Sequence, residues 1–194
     1  AWYAGDCTAA PYNIDGNAAS FGTSERNAII SVWKRVAEDY APFDVNVTTQ
    51  DPGYAAINRS GAGDTQFGTR LLVTNGNDTT CPNGSTLYSI ACGGGCGGVA
   101  YVGVYDSTGS THDFYQPAFV FAEGTGGTGA AYPKYIAEAA SHEVGHNIGL
   151  SHDGCVASCG GYYQGHGSWA PIMGVGYYKP IAQWSKGEYA NATQ

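Results

Sequence analysis

The sequence predicts an α/β fold on two observations. Apolar residues alternate between helical and strand spacing over the first 150 positions, and the chain turns loop-rich after His152. Its 194 residues are the length of one domain, enough to bury about 70% of the unfolded surface in a single core.

The elements follow in order. Residues 1 to 23 carry Gly, Pro and Asn throughout and show no clear strand. Ser24 can cap a helix running to about Tyr40, with Ile29, Ile30, Trp33, Val36 and Ala37 at helical spacing and turned toward a sheet. Alternating Phe43, Val45 and Val47 read as a strand, as do Thr69 to Thr74, Val99 to Val104 and Ala118 to Phe121. A helix is expected from Pro133, where proline is tolerated in the first turn. Its Ile136, Ala140, Val144 and Ile148 form an apolar stripe about 200° from His142 and His146. A last helix is expected from about Pro180 to Tyr189, with Ile181 and Trp184 inward.

Composition narrows the class. A formal charge of −8 with only eight basic residues argues against nucleic acid or an anionic membrane as partner. The longest apolar runs, such as Val99 to Tyr105 and Ala118 to Ala122, are too short to cross a bilayer. No basic segment followed by an apolar run opens the chain, and a start at Ala1 fits removal of a signal and a propeptide as well as it fits a trimmed chain. Low charge content, 30 glycines and 15 tyrosines suit an extracellular, loop-rich enzyme; it is expected to be secreted and to act as a monomer. Six cysteines without a CxxC pair point to disulfides and an oxidising compartment. Cys155 and Cys159 are expected to pair as a local clip; Cys92 and Cys96 can close similarly, leaving Cys7 with Cys81, though spacing alone leaves many connectivities open.

The chemistry is concentrated in His142-Glu143-Val144-Gly145-His146-Asn147-Ile148-Gly149-Leu150-Ser151-His152-Asp153. At about 100° per residue, His142 and His146 differ by about 40° and stand one turn apart on one helical face. His152 would lie about 15 Å from His142 on a continuous helix, whereas zinc–nitrogen bonds are about 2 Å, so the helix must break between His146 and His152. Gly149 stands where that break is needed, because glycine takes positive φ without a Cβ penalty. Three imidazoles leave a fourth position of a zinc ion for water, and Glu143, beside the metal but off the ligand face, suits a base that takes that water's proton. Asp153 reads as a hydrogen-bond acceptor behind the ligands or a fold anchor.

The string resembles the metzincin signature H-E-x-x-H-x-x-G-x-x-H, and Asn147 and Asp153 are similar to its reprolysin (adamalysin) branch. The sole methionine, Met173 in Trp169-Ala170-Pro171-Ile172-Met173-Gly174, resembles the Met-turn that forms an apolar floor beneath the metal in that clan. The resemblance implies a twisted, mostly parallel sheet with an antiparallel edge strand, an active-site helix and a small irregular C-terminal lobe. Residues 1–152 would form the upper part and 153–194 the lower, within one catalytic domain. It also implies an extended peptide bound along the edge strand, which Gly98-Val99-Ala100-Tyr101 best matches by position. Two departures stand out: Val175 occupies the place where related families use a transition-state tyrosine, and the family's first strand has no counterpart before residue 24. Tyr177 and Tyr178 lie near the first of these but do not match it by position; with Tyr162, Tyr163 and Trp169 they either shape a substrate pocket or pack the small lobe.

The reading is a secreted zinc endopeptidase hydrolysing internal bonds of proteins, with Glu143 as general base. The alternatives are a non-catalytic zinc-containing adhesion module and a zinc hydrolase of small peptides or acyl amides. Asn13-Ile14-Asp15-Gly16-Asn17 alternates oxygen ligands as a calcium loop does, or forms plain Asx turns. Sequons at Asn46, Asn58, Asn77, Asn83 and Asn191 would matter only in a eukaryotic secretory route.

Overall fold

The structure is a computed structural model, described here for residues 7–126, 133–156 and 159–193. Its elements are α1 (Thr23–Asp39), α2 (Tyr54–Ile57), β1 (Leu71–Thr74), α3 (Leu87–Cys92), β2 (Gly98–Val99), α4 (Ser110–Phe114), β3 (Ala118–Phe121), α5 (Pro133–Asn147), β4 (Gly154–Cys155), β5 (Trp169–Pro171), β6 (Ile181–Gln183) and β7 (Ala192–Thr193).

The main sheet has the order β1-β3-β2, with β1 and β3 parallel and β2 antiparallel at one edge. β3 is buried along its whole length, and its side chains alternate between two cores. Val120, with Leu71 and Val73, faces a core closed by Ala28, Val36 and Tyr40 of the α1 region and by Ile136, Ala137 and Ala140 of α5. Phe119 and Phe121 face the other side, against Cys81, Leu87 and Tyr88. The pairs Cys7–Cys81, Cys92–Cys96 and Cys155–Cys159 are all bonded.

Several boundaries differ from the sequence reading. α1 starts one residue before Ser24, with Gly22 as its cap; having no side chain, Gly22 relies on the fully buried Glu25, whose carboxylate accepts from the Gly22 and Ile14 N–H groups. The buried stripe of α1 runs Glu25, Ala28, Val36, ending at Tyr40, which leaves Ile30 and Trp33 exposed. Phe43 to Val47 forms no strand: Phe43 packs on Tyr40 and Trp184, and the Val47 carbonyl accepts from the Trp33 indole at 2.7 Å. Alternating apolar residues there serve a clasp over α1 instead of a ladder.

The strand expected at Val99 to Val104 is cut to Gly98–Val99, so Ala100 and Tyr101 lie beyond its ladder. The reason is the C-terminus of α5. Gly103 donates to the His146 carbonyl (2.8 Å), and the Val104 and Tyr105 N–H groups donate to the Asn147 carbonyl (3.0 and 2.9 Å), so this segment caps Asn147 and gives His146 a second donor at the helix end. The C-terminal helix is absent as well. Ile181–Gln183 is a strand parallel to Trp169–Pro171, bounded by turns, and Ile181 is exposed while Trp184 turns inward to donate to the Asp39 carbonyl at 2.6 Å. A short stretch between Pro180 and Gly187 cannot offset helix nucleation, and pairing with β5 wins. β4 and β7 pair antiparallel beside it.

Candidate metal and catalytic site

α5 carries the site on the face opposite its apolar stripe. It ends in two bonds, from Leu150 N–H to the Gly145 carbonyl (3.0 Å) and from Gly149 N–H to the His146 carbonyl (2.9 Å), with Gly149 at φ +99°. That is a Schellman ending with glycine in the left-handed position. The reversal returns His152 to the helix: ring centroids lie 4.7 Å apart for His142–His146 and His146–His152 and 5.2 Å apart for His142–His152. One ring nitrogen from each histidine falls within 4.8 Å of the other two, the one cluster of potential metal-binding groups among the described residues.

Two of the rings are fixed by carbonyls. His142 Nδ1–H donates to Ile172 O (2.9 Å) and His146 Nδ1–H to Leu150 O (2.8 Å); a carbonyl only accepts, so the proton sits on Nδ1 and the Nε2 lone pair faces inward. His146 and His152 bring their Nε2 atoms to 2.9 Å of each other. Burial lowers the pKa of all three histidines, that of His142 to about 3, so they are neutral near pH 7. Three neutral, inward-facing imidazole nitrogens fit a divalent metal that favours nitrogen donors.

The buried Met173 packs its sulfur against α5 where Gly145 lacks a side chain; a Cβ there would stand 2.5 Å from Sδ. Gly174 N–H closes the turn onto the Pro171 carbonyl (3.1 Å), so Ile172 and Met173 present their carbonyls to His142 and to the Asp153 N–H (2.9 Å). The buried Asp153 is thereby tied through its backbone to the turn that carries Met173, and its own carbonyl accepts from Tyr163 N–H at 2.7 Å. The Tyr162 ring stacks obliquely on His152, centroids 4.1 Å apart.

Glu143 is 7% exposed, and burial pushes its carboxyl up to about 8. It lies against the edge strand: a Cβ at Gly98 would come within 2.6 Å of Glu143 Cγ, so glycine is required there. Beside it opens a cavity of about 270 Å³, walled by Gly95 to Gly98, by Glu138, Ala139, His142 and Glu143 of α5, and by Tyr162, Ile172 and residues 174–177. Tyr177 lines this cavity, whereas Tyr178 does not and is 69% exposed, its ring lying 6.0 Å from that of Tyr135. Val99 is a ladder residue of the edge strand, and Tyr101 offers its carbonyl to Asn147 Nδ2 at 2.9 Å.

Sequence reasoning gave no role to two residues. Asn147, 1% exposed, holds the 101–105 segment through its side chain and its carbonyl. Glu138 walls the cavity, and its spacing of four from His142 could have revealed it, because 138, 142 and 146 share one helical face. The calcium expectation is not supported. Asn13 Oδ1 accepts from the Asp15 and Gly16 N–H groups and Asp15 Oδ1 from Asn17 N–H, so these oxygens serve consecutive Asx turns.

No curated protein and no solved structure matches the chain significantly. A reprolysin-type model described as metallo-peptidase family M12 matches residues 17–175, a span that includes all three histidines, Glu143 and Met173. The chain belongs to metallo-peptidase family M12.

Proposed function

We propose that this protein is a secreted, monomeric zinc endopeptidase that cuts internal peptide bonds of proteins, with His142, His146 and His152 as zinc ligands and Glu143 as general base. The observation that carries the reading is the meeting of three inward-facing imidazole nitrogens with a buried carboxylate at the mouth of a cavity beside a sheet edge. Zinc held there would polarise a peptide carbonyl and lower the pKa of a water toward about 7. A neighbouring dication favours the ionised form of Glu143, which can then take a proton from the attacking water and deliver it to the leaving amine. Met173 floors the histidine cluster, Gly149 turns the chain so that His152 joins it, and Asp153 anchors the segment between them.

β2 supplies the substrate rail. Among the described residues it pairs with β3 on one side only, and an extended peptide added on the other side would satisfy its remaining backbone groups and lay the scissile carbonyl over the histidines. Antiparallel to β2, the carboxyl-terminal half of that peptide runs past residues 95–98, so the side chain after the scissile bond enters the cavity. Residues 1–152 and 153–194 act as the two sides of one catalytic domain. The three disulfides suit an extracellular setting, and among the described residues no helix is long and apolar enough to cross a membrane.

The test is the Glu143→Ala variant with its zinc content measured. Cleavage of a casein-type protein should fall by about 10²–10⁴-fold with zinc retained. Undiminished proteolysis would overturn the assignment of Glu143. Cleavage of tripeptides without cleavage of proteins would favour the small-peptide hydrolase, and zinc binding without either would favour the adhesion module.

A further inference from the structure

One helix both lines the cavity beside the site and grips another part of its wall. Glu138, Ala139, His142 and Glu143 of α5 contribute to the lining, as do residues 174–177 of the loop that follows Met173. Lys134, one turn before Glu138, is not a lining residue. Its Nζ donates to the Gly176 carbonyl at 2.7 Å and to the Tyr177 carbonyl at 3.0 Å, and pairs with Glu138 Oε1 at 3.2 Å. An ammonium has three protons, and these three acceptors take them all.

The helix itself does not explain this lysine. Lys134 is the second residue of α5, where the positive end of the helix dipole disfavours a cation. As the amino-terminal member of an i, i+4 pair with Glu138, it also stands in the weaker order for an ion pair along a helix. Its side chain is nevertheless only 23% exposed, turned in against the loop. The carbonyls of 176 and 177 offset the dipole, and that stretch of backbone gains an anchor. Before it, Val175 N–H holds the loop to the Tyr163 carbonyl (2.9 Å); after it, the bond from Lys179 N–H to the Gly176 carbonyl (3.1 Å) stays within the loop. The Tyr177 ring stacks on that of Tyr135, centroids 5.0 Å apart, so the first turn of α5 holds the loop through an ammonium and a ring. The fit is close, since a Cβ at Gly176 would collide with the Glu138 carboxylate.

We infer that Lys134 is a positioning residue for substrate selection: by fixing the 176–177 backbone it sets the shape of the cavity that receives the side chain after the scissile bond. This rests on the endopeptidase reading and adds to it the group that keeps the pocket's shape. A pocket discriminates between side chains of different size only as far as its wall resists displacement, because a yielding wall relieves each misfit. Freed from the ammonium, residues 176–177 would give way to side chains that the native cavity of about 270 Å³ disfavours.

The experiment uses zinc-loaded enzyme and matched peptides that differ only in the residue after the scissile bond, from glycine and alanine through leucine and phenylalanine to tryptophan. Wild-type kcat/KM should span about tenfold or more across the set. In Lys134→Met, which keeps the aliphatic stem and loses the donors, the span should collapse toward one, with bound zinc per protein unchanged. Arg35 also acts on the Glu138 carboxylate, so the variant does not leave that acid without a positive charge nearby. Lys134→Arg, which still offers donors to both carbonyls, should recover most of the span, and no recovery would mean that the donors are not the cause. Every peptide reports on the same active fraction, so a variant that only folds less well lowers all rates by a common factor. An intact span in Lys134→Met therefore overturns the role of Lys134; should that variant not fold, Lys134→Gln is read the same way. Wild-type enzyme that cuts the whole set equally also overturns it and leaves the endopeptidase reading standing. An enzyme that cuts no peptide at all overturns both.

Discussion

The two faces of α5 are built from opposite physics. One face buries Ile136, Ala137 and Ala140 against α1 and the sheet, and gains stability from apolar area removed from water. The other buries His142, Glu143 and His146, whose charged forms the interior disfavours. One helix thus carries the anchor of the fold and its most costly groups, separated by half a turn. The site face is held in place by its neighbour and by a few backbone carbonyls, those of Ile172 and Leu150 among them.

The largest expected effect separates the faces by pH. Folding raises the Glu143 carboxyl from about 4.5 to about 8. Its contribution is therefore fully present below about pH 4.5 and is lost as pH rises through 8. In metal-free protein, Glu143→Gln should raise stability at pH 9 by on the order of 4 kcal/mol and change little at pH 4. The lowered histidines give an opposite slope, but it is common to both proteins and cancels in the difference. Denaturant melts at the two pH values check this; an equal gain at both would mean that the buried charge is not the cause.

On the apolar face the sign reverses. Ile136→Ala, at a position 2% exposed, should destabilise by about 3 kcal/mol at every pH while folded protein keeps its zinc affinity. A selective loss of zinc binding without loss of stability would break the division between the faces.

The smallest effect lies at their border, where Ser141 Oγ donates to Asp39 Oδ2 at 2.6 Å. Burial raises the Asp39 carboxyl to about 6, with Ser141 opposing the shift and Glu138 adding to it. The folded state then favours the protonated acid, so Asp39→Asn should stabilise by about 1 kcal/mol at pH 7–8, discounted for partial exposure, with the gain fading below about pH 4. Thermal melts across that range would show a pH-independent change if the charge were irrelevant.

The legible parts of the fold were those whose pattern is local. β3 and α5 follow from an apolar run and from a stripe at i, i+4 with proline at its start, and both coincide with the expected boundaries. What was not legible depends on partners distant in sequence. β2 stops at Val99 because the chain leaves the ladder to serve the carbonyls of His146 and Asn147, a demand set almost 50 positions later. Ile181–Gln183 pairs with β5 in a ladder, whereas Phe43 to Val47 packs on Tyr40 and Trp184 and caps the Trp33 indole instead of pairing as a strand. At the site, the histidines and Glu143 were visible through spacing alone. The carbonyls of Ile172 and Leu150 that orient two of the rings carry no side-chain signature, and Glu138 was hidden only because its spacing from His142 went unused.

The central claim is that the three histidines form one zinc site on which peptide hydrolysis depends. Titrating zinc into chelator-stripped protein, while following both bound metal and cleavage of an internal peptide bond, tests it most directly. Activity should be absent in the stripped protein, rise in proportion to bound zinc and level off at one equivalent. Cleavage that persists without metal, or a filled site that cuts nothing, would contradict it.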